Sequence, residues 1–217
     1  MREFFIKTFK DKKYAEAFLN NGEMLFRHFN YFRNIEDNKQ RGDLSEGLSV
    51  ETKKLLITNN VKSIQIGNNK IVKKFYIDVE RLKKEKPDIF NKPLNFTLKY
   101  FADCEIYCIT YLNSSTTNLD YIFDRIKKYG EYSVVITDCK NFLNKIKSNM
   151  LDYKFSLVKY SNEENGKDVF VKPIEYQFDS EFRIVKNNNK EKKLVNIGKL
   201  KGFVCLTRSI QIIKDVL

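Results

Sequence analysis

Short segments in which apolar and polar residues alternate occur near both ends of the chain, and they constrain the fold more than any other feature. A period of two residues places successive side chains on opposite faces of a β-strand. These strand patterns cover residues 3–9, 23–29, 104–112, 132–137, 153–160, 169–171, 181–186, 193–197 and 203–206. The chain is therefore expected to build a sheet from many short strands.

Helical spacing is concentrated between the strand patterns. Leu119, Ile122, Phe123 and Ile126 recur at the i, i+3, i+4 and i+7 positions of an amphipathic helix. A second helix is predicted after Asp138, and an early one between Asp11 and Gly22, with each aspartate as the N-cap. Strands at both ends with helices between them indicate an α+β fold, with a mixed, mainly antiparallel sheet and three or so helices.

The organisation of the chain favours one domain over residues 1–217. The sequence has only three prolines and eight glycines, so long flexible linkers are not expected. Residues 63–66 and 71–75 flank Gly67-Asn68-Asn69, a typical hairpin signal. Residues 80–93 combine a run of lysine and glutamate with Pro87 and Pro93, which we interpret as an excursion over the surface within that single domain.

The net charge of +12 favours anionic partners, namely a nucleic acid, a nucleotide or an acidic protein. Lysines near the end of the chain would then contact phosphates: Lys190, Lys192, Lys193, Lys199 and Lys201. The alternative interpretation is an ordinary solvated surface, because the lysines are interspersed with glutamate and aspartate.

The cysteines and the apolar segments indicate a reducing, cytoplasmic setting. Cys104 and Cys108 lie four residues apart on one predicted strand, about 13 Å, which is too far for a disulfide or a shared metal ion. Buried free thiols are therefore expected, and no metal site. The first residues become charged too early for a secretory signal, and no apolar run approaches a membrane span. We expect a cytoplasmic protein with no membrane partner.

The segment Asp179-Ser180-Glu181-Phe182-Arg183 carries charge where a buried strand would not. If it is a strand, Glu181 and Arg183 share one face, and a carboxylate beside a guanidinium is ionised and oriented. Such a carboxylate grips a sugar hydroxyl or stabilises a developing cation. Glu181, Arg183 and Asp179 are the catalytic candidates, and an ion pair on a solvated sheet face is the alternative.

Candidate ligand-binding residues come from two further segments. One is the early strand and the charged, glycine-containing loop after it, because loops of mixed charge often bind ligands. The other is a run of hydroxyl residues between a strand and a helix, which suits a phosphate or serves as a plain N-cap. These candidates are Arg27, His28, Arg33, Arg41, Asp43, Glu46, Ser114 and Ser115.

Several short motifs resemble a broad family of uncharacterised bacterial and phage proteins. They are Gly22, Phe26-Arg27, Tyr31-Phe32-Arg33, Arg41-Gly42-Asp43 with Glu46-Gly47, Phe170-Val171-Lys172-Pro173 and Glu181-Phe182-Arg183. The resemblance covers both ends of the chain and little of the middle. It implies an α+β fold with a polar site but no established activity, and a setting in phage–bacterium conflict.

The chain is more distantly similar to ADP-ribosyltransferases. Arg27 or His28 matches the Arg or His of an early strand, and Glu181 the glutamate that starts a late strand. Ser114 and Ser115 match the family's serine strand only loosely, since they follow the strand. Asp179 stands where the family usually has Glu or Gln. The resemblance implies NAD as a cofactor and Glu181 as the group that stabilises an oxocarbenium-like centre.

Two hypotheses follow, and they differ in geometry. A basic module that binds an anionic partner needs a contiguous positive face. An NAD-using transferase or glycohydrolase needs Glu181 and the Arg27–Glu46 segment to converge on one cleft. A metal-dependent nuclease built on Asp138-Cys139-Lys140 is a third interpretation, although the N-cap role already explains Asp138.

Overall fold

The computed structural model describes residues 2–28, 31, 48–56, 63–68, 71–76, 78–89, 93–101, 104–162, 169–187 and 194–215. The chain packs into two compact units. The first combines Met1–Leu48 with Phe101–Leu217, and the second is Ser49–Tyr100. Residues 80–93 lie inside the second unit. The single domain over 1–217 stays a prediction, because compact packing and independent folding are different properties.

The described strands and helices follow in chain order. The strands are β1 (Glu3–Phe9), β2 (Glu23–Leu25), β3 (Arg27–His28), β4 (Leu48–Leu56), β5 (Ser63–Asn68), β6 (Ile71–Tyr76), β7 (Pro93–Phe101), β8 (Cys104–Asn113), β9 (Tyr132–Ile136), β10 (Tyr153–Leu157), β11 (Lys159–Ser161), β12 (Val171–Pro173), β13 (Glu181–Asn187), β14 (Leu194–Asn196) and β15 (Gly202–Leu206). The α-helices are α1 (Lys12–Asn21), α2 (Val79–Glu85), α3 (Leu119–Lys127) and α4 (Cys139–Asn149). Short 3₁₀ helices cover Pro87–Ile89, Ile174–Asp179 and Thr207–Asp215.

A seven-stranded sheet forms the centre of the first unit, in the order β10-β13-β8-β1-β9-β15, with β3 also paired to β8. β13 pairs along one edge of β8, while β1 and β3 share its other edge. Each described pair in this sheet is antiparallel, whereas β11 and β12 form a separate parallel pair. The predicted α+β class with a mainly antiparallel sheet is confirmed.

The second unit contains the predicted hairpin. β5 and β6 pair antiparallel from Ser63↔Tyr76 to Asn68↔Ile71, which confirms the strands on either side of the glycine–asparagine signal. β4 pairs with β7 in another two-stranded sheet. The lysine- and glutamate-rich run of residues 80–93 supplies most of α2 and a 3₁₀ turn.

Two predicted strands are each divided by a buried residue. The segment 23–29 breaks at Phe26, so that β2 pairs with β14 and β3 pairs with β8. The segment 153–160 breaks at Val158, so that β10 pairs with β13 and β11 with β12. Phe26 and Val158 are buried, with 0% and 7% of their surface exposed. At Phe26 the alternation with Met24 continues, so the sequence pattern does not reveal that change of partner. At the second break, Leu157 and Val158 are adjacent apolar residues, and the alternation shifts by one position.

Both faces of the central sheet are covered. Strand β1 shows this most directly: Phe5 belongs to a buried cluster with α1 and α4, while Phe4 and Ile6 belong to a second cluster with α3 and the 3₁₀ helix Thr207–Asp215. Alternate side chains of the strand therefore enter two different cores. On β13 the pattern changes, because Phe182 and Ile184 join the first cluster while charged residues occupy the opposite face.

The predicted helix ends agree with the structure in most details. Gly22 follows α1 with φ +65°, a left-handed conformation that glycine adopts without strain. Asp138 caps α4 through a side-chain bond from the Asn141 amide. Asp11 occupies the N-cap position of α1, but its side chain makes no capping hydrogen bond, which corrects the predicted role of that carboxylate.

The four cysteines are free, as predicted. Cys104 and Cys139 are buried, and Cys108 and Cys205 are half-buried. Burial raises the pKa of the Cys139 thiol to about 12, which keeps it protonated at neutral pH. Among the described residues, no helix combines the length and the apolar character needed to cross a membrane.

Candidate functional site

Glu181 and Arg183 lie on the same face of β13, opposite Thr110 and Cys108 of β8. Their shared face is the one that strand alternation predicts. The face is not solvated, however, since Glu181 is 6% exposed and Arg183 is 0% exposed. The interpretation of these residues as a surface ion pair is therefore wrong.

A tight bend places Asp179 beside Glu181. Ser180 lies between them with φ +43°, at the end of the 3₁₀ helix Ile174–Asp179. Its hydroxyl donates to the carbonyl of Tyr111 at 2.7 Å, and the Tyr111 amide donates to the carbonyl of Ser180 at 2.8 Å. These bonds fasten the bend to β8, and both carboxylates then contact the same lysine.

A buried charge cluster surrounds the two carboxylates. We use this name for Asp179, Glu181, Lys172, Arg125 and Arg183. On one side, Glu181 Oε1 accepts from Arg183 Nε at 2.9 Å, and Glu181 Oε2 lies 2.8 Å from Lys172 Nζ. A further Arg183 nitrogen donates to the carbonyl of Val169 at 2.5 Å.

Asp179 completes the cluster from the other side. Its Oδ1 accepts from Arg125 Nε at 2.7 Å and from the Tyr129 hydroxyl at 2.6 Å. Its Oδ2 accepts from Lys172 Nζ at 3.2 Å. Lys172 thus bridges the two carboxylates, and the cluster links α3, β12 and β13.

The electrostatics keep the cluster ionised at neutral pH. Burial raises the pKa of Glu181, but the charges of Arg183 and Lys172 outweigh it and hold that pKa well below its usual range. Burial and the nearby carboxylates raise the pKa of the Tyr129 and Tyr160 hydroxyls. Glu181 therefore stays ionised at neutral pH, and the neighbouring hydroxyls of Tyr129 and Tyr160 stay protonated.

The chemistry available to Glu181 follows from these contacts. Both of its carboxylate oxygens have cationic partners, and its backbone amide donates to the Tyr160 hydroxyl at 2.8 Å. The carboxylate is thus already engaged by Arg183 and Lys172. The arrangement suits a fixed electrostatic clamp between elements, since buried charges that keep all their partners resist rearrangement.

Two of the other predicted site residues lie on the early strand. Arg27 and His28 form β3 and are half-buried, with the Arg27 guanidinium 4.7 Å from the Tyr31 ring centroid. Arg27 lies opposite Ile106, which in turn lies opposite Val185, so Arg27 shares the sheet face of Glu181 and Arg183. Four further candidates lie outside the described residues: Arg33, Arg41, Asp43 and Glu46.

The hydroxyl segment forms a turn that ends before the helix. Ser114 and Ser115 are exposed, and the Ser115 amide donates to Asn113 Oδ1 at 2.9 Å. Helix α3 begins only at Leu119. Of the lysines predicted to contact phosphate, Lys199 and Lys201 are exposed, while Lys190, Lys192 and Lys193 lie outside the described residues.

Sequence reasoning missed the roles of Arg125 and Lys172. Arg125 lies between Ile122 and Ile126 of α3, at the border of the apolar stripe, and this position was a usable signal of partial burial. Lys172 gave no such signal, because its burial depends on the 3₁₀ helix that packs over it.

A second surface is formed along β10, at one end of the sheet order. A shallow depression there is lined by what we call the β10 surface: Lys147, Asp152, Tyr153, Lys154, Phe155 and Phe170. The rings of Tyr153 and Phe155 stack with centroids 5.8 Å apart and planes 16° apart. Lys147 Nζ lies 5.9 Å from the Phe155 centroid, and Lys154 is exposed.

Among the described residues, nothing pairs with the outer edge of β10. The Val158 amide donates to the carbonyl of Glu181, so residues 154, 156 and 158 direct their backbone groups towards β13. Tyr153, Phe155 and Leu157 direct theirs outward. Within the described part of the chain, these outward groups make no backbone hydrogen bond.

Comparison of the chain with protein-family models, with curated proteins and with solved structures finds no match. Among the described residues, no three histidine, cysteine, aspartate or glutamate side chains are grouped so that they could hold a metal ion. The two candidate sites, the buried charge cluster and the β10 surface, are therefore identified from the geometry of this structure alone.

Proposed function

We propose that this protein is a binding module for an anionic partner and that the partner docks on the β10 surface. The observation that carries the proposal is the pairing of exposed lysines with a stacked aromatic pair beside an open strand edge. Lysines supply charge, and aromatic rings supply contact area at little cost in conformational entropy. The net charge of +12 adds long-range attraction for any anion.

The contrast with the buried charge cluster also supports binding over turnover. In that cluster the carboxylates that sequence reasoning assigned to catalysis are buried and ion-paired. The β10 surface has two exposed lysines, Lys147 and Lys154, and Lys159 close to it in the chain is exposed as well. A partner can reach these groups without breaking an existing ion pair of the cluster.

The test compares two double charge reversals by fluorescence anisotropy with labelled anionic probes. Lys147→Glu with Lys154→Glu alters the β10 surface. Lys10→Glu with Lys84→Glu changes the net charge by the same amount at exposed lysines outside it. We expect the first pair to weaken binding more than about tenfold and the second less than about threefold.

The probes are an acidic peptide, a single-stranded oligonucleotide and NAD. Equal weakening by both double variants would show a response to net charge alone, and the β10 surface would lose its role. If none of the probes binds to the wild-type chain at low salt, the binding-module proposal itself fails.

An NAD-using transferase or glycohydrolase is the second candidate. The observation that favours it is that Arg27 and the ionised Glu181 share a sheet face, as the resemblance to ADP-ribosyltransferases requires. Release of nicotinamide from NAD by the wild-type protein, and its loss in a folded Glu181→Gln variant, would support this function. Absence of release under conditions where the protein is folded would remove it.

A further inference from the structure

We infer that the anionic partner is an acidic polypeptide segment that binds in extended form as an additional strand on β10. This inference rests on the proposed function and gives the class of the partner. Strand addition uses the open edge for main-chain hydrogen bonds and the flanking side chains for selectivity.

The open edge has the hydrogen-bonding pattern of a strand partner. Tyr153, Phe155 and Leu157 each direct one N–H and one C=O away from β13. A second polypeptide strand offers donors and acceptors at the same spacing, about 6.6 Å for every two residues. A phosphate backbone offers acceptors alone, so it would leave the three carbonyls without donors. The edge therefore favours a polypeptide over a nucleic acid.

The side chains around the edge favour an acidic segment. Tyr153 and Phe155 lie on the sheet face of Phe182, and Lys147 of α4 lies over the Phe155 ring. Lys154 lies on the opposite face, opposite Val185. An added strand directs alternate side chains to the two faces and so meets a lysine on each of them. Among the described residues that line the depression, Asp152 is the one acidic residue.

The same charges argue against a second copy of this chain as the occupant. Pairing β10 with itself would bring Lys154 of each copy to one short ladder of five residues. Like charges across a strand pair are destabilising, and each copy also carries a net charge of +12. Lysine on an edge strand is a recognised protection against self-pairing.

The experiment uses a backbone-specific variant with a matched control. Leu157 is 48% exposed, and its amide is directed outward. Leu157→Pro removes that donor, whereas Leu157→Ala shortens the side chain and keeps it. The probe is a peptide of about ten residues that alternates glutamate with valine, since strands rarely exceed this length.

We expect the peptide to bind Leu157→Ala about as tightly as wild type and Leu157→Pro about fivefold to tenfold more weakly. In amide-resolved NMR, the peptide should slow hydrogen exchange at Tyr153, Phe155 and Leu157. Equal affinity for the two variants, or unchanged exchange at these amides, would overturn strand addition.

Three further outcomes separate the inference from the proposed function. If a single-stranded oligonucleotide binds through Lys147 and Lys154 and the peptide does not, the inference fails and the binding module stands. If a dimer forms in size-exclusion chromatography and Leu157→Pro dissociates it, the occupant is a second copy and the inference fails. If none of the peptide, the oligonucleotide and NAD binds, both fail.

Discussion

Tyr107 has a buried side chain whose polar group is not hydrogen-bonded within the described core. Its side chain is 4% exposed, and its hydroxyl has no hydrogen-bond partner among the described residues. Burial first, and then the nearby Cys108, raise the pKa of this hydroxyl, so it remains protonated. Lys7 Nζ lies 4.6 Å from the ring centroid, which engages the ring and not the hydroxyl.

Replacing Tyr107 by phenylalanine should therefore leave the free energy of unfolding unchanged or raise it by up to about 1 kcal/mol. A buried hydroxyl without a partner loses its hydrogen bonds to water on folding and forms none in the protein, so its removal costs no stability. Tyr129→Phe is the matched control, since it removes the 2.6 Å bond to Asp179 and should cost about 1–2 kcal/mol. Urea unfolding measures both. A clear loss of stability in Tyr107→Phe would show that its hydroxyl has a partner.

Glu181 gives a prediction about pH. Its pKa in the folded protein is lower than in the unfolded chain, so the unfolded chain takes up a proton first as the pH falls. The stabilisation is complete above the ordinary glutamate pKa of about 4.3 and is lost as the pH falls towards the lower folded value. The free energy of unfolding of wild type should therefore fall more steeply between about pH 5 and 3 than that of Glu181→Gln.

At neutral pH, Glu181→Gln should cost about 3–5 kcal/mol, because it leaves Arg183 and Lys172 buried with less negative charge. The stability of any Glu181 variant must therefore be measured before a change in its activity is assigned to catalysis. Glu175→Gln, at an exposed position of the neighbouring 3₁₀ helix, should cost little. Parallel pH slopes for wild type and Glu181→Gln would contradict the assigned charge state.

At the scale of single elements, the ends of α1 and α4 offer a direct comparison. Each helix follows an aspartate in the N-cap position, but only Asp138 accepts an amide hydrogen bond, from Asn141 at 3.0 Å. Asp138→Ala should therefore lower the free energy of unfolding by about 1 kcal/mol, and Asp11→Ala by no more than a few tenths. Thermal or urea unfolding of both variants checks this. Equal losses would mean that helix-dipole effects outweigh the capping bond.

Elements also show where sequence reasoning succeeds and where it fails. Most strands and helices of the first unit were predicted, since their periodicity is local, whereas β4, β7 and α2 were not, and the strand predicted at 169–171 begins only at Val171. The division at Phe26 could not be predicted, because this buried residue preserves the alternation, whereas the adjacent Leu157 and Val158 shift the alternation and were a usable signal of the second division. Strand pairing depends on residues that are far apart in the sequence. The neighbouring strands β13 and β8 are separated by more than sixty residues, and Thr110 and Asp179, for example, are 69 residues apart.

On the scale of the whole molecule, the second unit is a continuous segment between two parts of the first. The strands of the seven-stranded sheet all belong to the first unit. Replacing Ser49–Tyr100 by a flexible linker of about ten residues should therefore leave the seven-stranded sheet folded.

Circular dichroism and a cooperative unfolding transition test this excision, with the acidic-peptide titration as a second readout. We expect retained strand content and unchanged peptide affinity, because the β10 surface lies in the first unit. If the shortened chain shows no cooperative unfolding transition, residues 1–217 fold as one domain.

What the sequence by itself determined is the local part of this protein. Period-two alternation placed Glu181 and Arg183 on one face of a strand, helical spacing placed α3, and Asp138 and Gly22 marked helix ends. Each of these follows from residues close together in the chain. Only the tertiary structure decided that the face of Glu181 is buried. This burial depends on the 3₁₀ helix that packs above the face and on Arg125, which contacts Asp179 from 54 residues away in sequence. The tertiary structure also decided that β10 is an edge strand among the described strands, because an edge is defined by which strands become neighbours in space, which no local pattern encodes.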